Sequence, residues 1–355
     1  MMKKLAFMVL SVLFVISLAA CRSEQEVLYV LNWGEYMDEE LIELFEETYN
    51  VRIVYTEVGS NEAMEVQILM DTTPFDIAIP SDYMIDKLFQ NGLLHPIDPD
   101  LLPNLANINF IEEARLLYEN EPFANYMIPY FWGTIGILYN TSNPDVVEAL
   151  ETQGWMALFD PASPFNRGMY DSPRDAVGAA LLALGLDVNT TNESELAQAE
   201  ALLRDANFQI FGEDNLKREV VAGNLDMALV YSGDYFDELF AADEDGRDVN
   251  FNLYVPNSTN VWIDAFVIPT TAQNVELAHQ FIDFFLDVDN KVANSDWVGY
   301  TPVIQEVFDI MVEEYEYDDP AYFPKPEGTA RYLFRYVSQT HDQKLSDILN
   351  RVKLP

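Results

Sequence analysis

Basic residues are scarce in this chain: 19 Lys and Arg stand against 60 Asp and Glu, a formal charge of −41. Such a balance repels phosphate backbones and anionic lipid surfaces, which excludes nucleic acid as a partner. It is compatible with a cationic ligand, but salt screens each charge beyond about 8 Å, so only carboxylates beside a site count toward affinity. Cysteine occurs once, so no intramolecular disulfide is available and the core must hold itself together. The three histidines, His95, His279 and His341, lie far apart and lack zinc-ligand spacing. Gly-x-Gly-x-x-Gly, Gly-x-x-x-x-Gly-Lys-Ser/Thr and Gly-x-Ser-x-Gly are all missing. Neither a phosphate cradle nor a nucleophile elbow is indicated, and no cofactor is expected. Asp243-Glu244-Asp245-Gly246 fails as a calcium loop, because its first ligand position would be Ala241 and its last Asn252. It reads as a solvated acidic turn. A pair of carboxylates leaves no spacing signature, so a glycoside hydrolase stays open as the enzymatic alternative.

One long apolar run is present, Leu5 to Ala20, preceded by Lys3 and Lys4 and ending in Leu18-Ala19-Ala20-Cys21. A charged start, an apolar centre and small residues at the end are the layout of a secretory signal, and the run is short for a membrane span. Cys21 directly after Leu-Ala-Ala resembles the lipobox of bacterial lipoproteins. That resemblance implies acylation of Cys21 as the mature N-terminus. The expected location is outside the cell, lipid-anchored to the outer face of the bacterial cytoplasmic membrane. Residues 1–20 read as the signal peptide and 21–26 as a tether.

At 355 residues the chain has room for two domains. Val27 to Leu31 is apolar, β-branched and aromatic, the pattern of a buried parallel strand. The pattern breaks at Asn32-Trp33-Gly34-Glu35-Tyr36, and helical periodicity begins at Asp38 with Leu41, Leu44, Phe45 and Tyr49 on one face. Ligands sit at the carboxyl end of the first strand in open α/β sheets. A strand over 51–55, a helix capped by Ser60, a short strand over 75–79 and a helix after Ser81 complete a β-α-β-α-β order. This predicts a mostly parallel sheet with helices on both faces. Residues 96–122 are loop-rich, and 127–139 reads as a long extended segment leaving one domain for the next. Helices are expected at 176–184, 193–206, 234–240 and 274–286, and strands at 227–231, 251–255 and 261–268. The remainder reads as helical and polar. Tyr130 and Trp132 read as lobe packing, Trp155 and Trp297 as core.

Four short stretches place an aromatic beside a carboxylate just past a buried strand: Trp33-Gly34-Glu35-Tyr36, Ser81-Asp82-Tyr83, Tyr231-Ser232-Gly233-Asp234 and Trp262-Ile263-Asp264. Asp171-Ser172-Pro173-Arg174-Asp175 and Gly299-Tyr300-Thr301-Pro302 join them. Aromatic faces attract a cation by about 0.5–2 kcal/mol each, and carboxylates hold ammonium groups through charge-assisted hydrogen bonds. Rings also stack on methylene chains, so a box of this kind fits a flexible aliphatic polyamine. Taken singly, each stretch is equally suited to covering the end of a sheet. Trp262 and Asp264 are two apart, so on a strand they face the same side. Glu35 lies in a turn, where its direction is unreadable.

The order and spacing of Asn32 to Tyr36, Ser60-Asn61-Glu62, Phe75 to Tyr83, Ile128 to Gly133, and Trp262-Ile263-Asp264 with Gly299-Tyr300 resemble the spermidine/putrescine-binding receptors of ABC importers. The resemblance covers essentially the whole mature chain. It implies an α/β, two-lobed periplasmic-binding-protein-like fold (type II), with mostly parallel sheets flanked by helices and a hinge of crossing strands. Lobe 1 would comprise 27–131 and 263–308, lobe 2 132–262 and 309–355. It further implies a monomeric binding protein, not an enzyme, that closes on its ligand and delivers it to permease subunits in the membrane. Carried over residue by residue, Trp33, Tyr36, Ser81 and Tyr83 look like the first lobe's wall, with Glu35 ranked below them. Asp175, Tyr231 and Asp234 look like the second lobe's contribution, with Trp262 and Asp264 at the crossover and Tyr300 closing the box. Ser172 stands where the spermidine type has aspartate, Tyr231 replaces a tryptophan, and Asp234 takes a serine position. The acids at 175 and 234 resemble the putrescine type better. The expected ligand is putrescine and/or spermidine, with another cationic solute as the alternative.

Overall fold

The computed structural model describes residues 25–70, 72–317, 319–324 and 330–354; the leader and Cys21 lie outside the described residues. Strand β1 (Glu26–Trp33) pairs in parallel with β2 (Val51–Val58) on one side and β3 (Ile77–Ala78) on the other. Its centre is wholly apolar, and Leu28, Val30 and Leu31 are completely buried. The crossovers are the helices Glu39–Tyr49 and Asn61–Leu69, started by Asp38 and by Ser60, whose hydroxyl accepts the Ala63 N–H at 3.1 Å. Ser81 stands before the helix Asp82–Gln90 but does not cap it with its side chain. Its hydroxyl instead accepts a bond from the Asn61 amide at 3.0 Å. A short antiparallel pair, β4 (Leu94–His95) with β11 (Ile268–Pro269), flanks this sheet.

The second sheet is laid on the 13-residue β5 (Ile128–Asn140), with β6 (Arg167–Tyr170), β7 (Ile210–Gly212), β8 (Met227–Tyr231), β9 (Phe251–Tyr254), β10 (Ser258–Phe266), β12 (Thr301–Pro302) and β13 (Ala330–Tyr332). The path through it runs β13-β10-β5-β8-β6-β7. The expected parallel pairing holds for β6 with β7 and β8, whereas β5 is antiparallel to β8, β9, β10 and β12. For β10 the cause is directional: β5 carries the chain away from the first sheet and β10 carries it back. Trp262 pairs with Gly133 and Asp264 with Phe131, and the register then shifts so that Ala265 meets Pro129 and Tyr130 is left over. This bulge falls beside a proline, which has no N–H to give the ladder. Past it, the chain keeps β5 through Phe266 and takes a second partner. Ala265 N–H bonds the Pro80 carbonyl at 3.1 Å, and Ala78 and Val267 exchange bonds at 3.0 and 2.9 Å.

The last helix, Gln339–Val352, packs on the helices Pro173–Ala183 and Glu193–Ala206 of the second lobe. From it Asp342 takes Arg174 at 2.6 Å and, across the cleft, Lys87 of the first lobe at 3.3 Å. Arg335 bonds Glu121 at 2.7 Å on the same side. Two readings need correction. Trp297 is 46 % exposed and not core, and the helix through Asp234 runs from Ser232 to Glu244, taking in part of the expected acidic turn.

Tyr130 pins the turn after β1 from behind. Its hydroxyl donates to the Tyr36 carbonyl at 2.8 Å and accepts from the Asn294 amide at 2.7 Å, while Asn294 accepts the Asp38 N–H at 3.0 Å. Tyr130→Phe strands buried polar groups on both sides and should lower the urea-unfolding free energy by about 1–3 kcal/mol. An unchanged unfolding midpoint would show that these bonds do not hold the turn.

Candidate functional site

The end of β1 is fixed by Trp33, whose indole N–H bonds the Ile79 carbonyl at 2.8 Å beside β3. Glu35 follows in the left-handed region, φ 51°, and this turn leaves Glu35 exposed while Tyr36 is buried. Tyr36 donates its hydroxyl proton to Asp264 Oδ2 at 2.8 Å. Its ring meets Tyr300 edge-on at 5.4 Å and Tyr130 at 5.5 Å. Asp264 is 6 % exposed, lies opposite Ser81 in an isolated bridge, and its Oδ1 has no hydrogen-bond partner among the described residues. Burial pushes its carboxyl up to about 7, against the nearby hydroxyls of Ser81 and Tyr36. Beneath this group the buried Lys291 rests its amino nitrogen 3.4 Å from the Phe131 ring centre and 3.8 Å from that of Tyr130.

The facing side comes from the second lobe. Tyr231, at the end of β8, donates to Asp175 Oδ2 at 2.9 Å, and burial raises the Asp175 carboxyl. Ser172 holds Asp175 in place by accepting its N–H at 3.4 Å. Trp262 stands edge-on to Tyr231 at 6.0 Å and to Tyr300 at 5.3 Å. Two glycines make this packing possible. A Cβ on Gly133 would fall 2.4 Å from the Trp262 ring, and one on Gly233 would fall 2.1 Å from the Tyr300 ring.

Tyr36, Asp264, Tyr300, Trp262, Tyr231 and Asp175 thus form one continuous chain of contacts across the cleft, with Ser81 beside Asp264. Three expected residues stand differently. Glu35 is exposed, outside this buried group. Asp234 is inside but already engaged: Oδ2 accepts the Tyr231 N–H at 3.0 Å and Oδ1 faces Lys217 Nζ at 3.3 Å. Burial pushes the Asp234 carboxyl up to about 6, with Lys217 pulling the other way. Tyr83 gives its hydroxyl to Glu62 at 3.1 Å, and the Arg174 guanidinium of the opposite lobe covers its ring at 4.0 Å. Arg174 and Lys217 escaped the sequence reading, because nothing in their spacing couples them to residues 83 and 234.

A buried, aromatic-walled group whose unpartnered polar atoms among the described residues include the Asp264 Oδ1 carboxylate oxygen, beside the Trp262 indole nitrogen, can hold a ligand with cationic ends and an apolar middle. A family model for bacterial extracellular solute-binding proteins matches residues 40–324. A putrescine-binding periplasmic protein of Pseudomonas aeruginosa, SpuD, is 29 % identical over 318 residues, covering 86 % of this chain and 85 % of that one. A putrescine/cadaverine-binding protein of the same species is 30 % identical over 307 residues, covering 84 % of each. The crystal structure of the spermidine/putrescine ABC-transporter substrate-binding protein PotD from Streptococcus pneumoniae superposes with a TM-score of 0.74 at 29 % identity, over 93 % of this chain and 99 % of that one. With the two-lobed fold, the closed cleft and a match over most of its length, this chain belongs to the bacterial extracellular solute-binding proteins.

Proposed function

We propose that this protein is the extracytoplasmic receptor of an ABC importer for putrescine and/or spermidine. The observation that carries this reading is Asp264: a buried carboxylate with one oxygen bonded by Tyr36 and the other without a partner among the described residues, walled by Trp262 and Tyr300. The relatives' named ligands support it, and the family is one of solute-binding proteins, so the glycosidase alternative falls away. The lobes are 27–131 with 263–308 and 132–262 with 309–355, joined at the β5/β10 crossing, and they close on one polyamine. Asp264 and Asp175 hold its ammonium groups, and Trp33, Tyr36, Ser81, Tyr83, Tyr231, Trp262 and Tyr300 form the walls. Asp234 acts through Lys217 and the Tyr231 backbone. Glu35 lies at the mouth. The receptor works as a monomer held at the membrane by a lipid on Cys21, where it meets its permease.

Melting with putrescine, cadaverine and spermidine tests the ligand class. At 100 times the dissociation constant the stabilisation should be about 2.7 kcal/mol. A flat melting temperature for all three, with a shift for some other solute, moves the assignment to that solute. By calorimetry Asp264→Asn should weaken putrescine binding by about two orders of magnitude, on the scale of a broken buried charge pair. The same change at the exposed Asp243 should do almost nothing; equal small losses at both would contradict the assignment.

The pH dependence has a definite sign. Asp264 holds its proton up to about 7 in the fold, against about 3.9 for an ordinary aspartate. An acid whose pKa rises on folding takes stability away as pH climbs from the unfolded value through the folded one. The unliganded protein should therefore lose stability between pH 4 and 7, by roughly those limits, and Asp264→Asn should flatten part of the fall. A slope identical in the variant would show that Asp264 is not held protonated.

A further inference from the structure

Asp82 opens the helix Asp82–Gln90, directly after the residue that bridges to Asp264. It is 5 % exposed. Its Oδ1 accepts the Tyr83 N–H at 2.6 Å, while its Oδ2 has no hydrogen-bond partner among the described residues. Capping the helix accounts for the first oxygen only. The charged groups that reach Asp82 are Asp264 from β10, Arg174 from the helix Pro173–Ala183 and Arg335 from the segment before the last helix. Both cations are committed elsewhere: Arg174 bonds Asp342 at 2.6 Å and covers Tyr83, and Arg335 bonds Glu121 at 2.7 Å.

Asp82 lies in the field of Asp264, and each of these buried carboxyls has one oxygen without a partner among the described residues; that is unfavourable unless a cation meets them or they keep their protons. A primary ammonium has three N–H donors, enough for both oxygens and one more acceptor. We propose that Asp82 is a ligand-binding residue in its own right, forming with Asp264 a two-carboxylate seat for one primary ammonium end of the ligand. This rests on the polyamine reading above and adds to it the residue that recognises the chain end. Among the described residues the cations that reach Asp82, Arg174 and Arg335, are bonded elsewhere, so the ligand supplies the charge. Burial pushes the Asp82 carboxyl up to about 8 and that of Asp264 up to about 7. An ammonium seated there favours the ionised forms, so binding near neutral pH releases protons.

The test is putrescine calorimetry on the full chain and Asp82→Asn in several buffers of different ionisation enthalpy at pH 7. Asparagine keeps the cap on Tyr83 and removes the charge. The variant should bind putrescine at least tenfold more weakly, release about one proton fewer on binding, and melt unliganded at pH 6 within a few degrees of the unmodified protein. It should also discriminate less between putrescine and its N,N,N′,N′-tetramethyl form, whose ends each carry a single N–H. Affinity within twofold of the parent with unchanged proton release would overturn the seat and leave Asp82 a helix cap. A tenfold loss accompanied by an equal collapse of the unliganded melt would overturn it as well. If the unmodified protein binds none of these amines, the polyamine reading fails and the seat with it; if it binds and Asp82→Asn changes neither affinity nor proton release, the seat alone is lost.

Discussion

A carboxylate taken out of water must be met by donors or give up its charge. Asp264 Oδ2 is met by the Tyr36 hydroxyl at 2.8 Å while Oδ1 has no partner among the described residues, and that bond joins residues 228 apart in the chain. The rest of the cleft is arranged behind it. Tyr130 and Asn294 hold the turn at Tyr36, and beyond the bulge after Asp264 the chain stays paired with β5 through Phe266 while also bonding Ala78 and Pro80 of the first lobe. The crossing strands therefore do two jobs at one place: they connect the lobes and they set the key carboxylate. A register slip of one residue would turn both Trp262 and Asp264 away from the site.

Of 60 acidic residues, few bear on the cleft. Asp234 is tied to Lys217, Glu62 to Tyr83, and Asp342 bridges Arg174 and Lys87 between the lobes. These internal pairs assemble the walls and bring the lobes together, but a buried pair that satisfies itself adds little net binding. What distinguishes Asp264, with Asp82 beside Ser81, is incomplete satisfaction among the described residues; Asp264 adds to this a dry setting of aromatic rings. There the electrostatic gain from a cationic ligand is larger than at any exposed acid. The close seats of Trp262 on Gly133 and Tyr300 on Gly233 keep that setting compact.

Much of this was legible. The helix over 193–206, the strand over 227–231 and the Ser60 cap stand where periodicity and cap chemistry put them, because local preference and burial agree there. The spacing of Trp262 and Asp264 put both on one face of a strand, and both are buried at Tyr300 and Tyr36. Other features depend on contacts remote in sequence. Strands β6 and β7, four and three residues long, are too short to show a period. The direction of β5 is set by partners as much as 171 residues away, such as Pro302 opposite Phe131. Glu35 takes its exposure from a left-handed turn that no residue-type preference announces for a glutamate. Lys217 and Arg174 reach Asp234 and Tyr83 only through the fold. Trp297, expected in the core for its large apolar ring, is 46 % exposed.

The central claim is that a cationic chain end completes the half-satisfied carboxylate at the lobe crossing. Crystallising the protein with putrescine tests it most directly. The account predicts a ligand nitrogen at about 3 Å from Asp264 Oδ1, within charge-assisted hydrogen-bonding distance, with the methylene chain lying between Trp262, Tyr300 and Tyr231. Putrescine bound with Asp264 Oδ1 still unbonded, or bound away from the β5/β10 crossing, would contradict it.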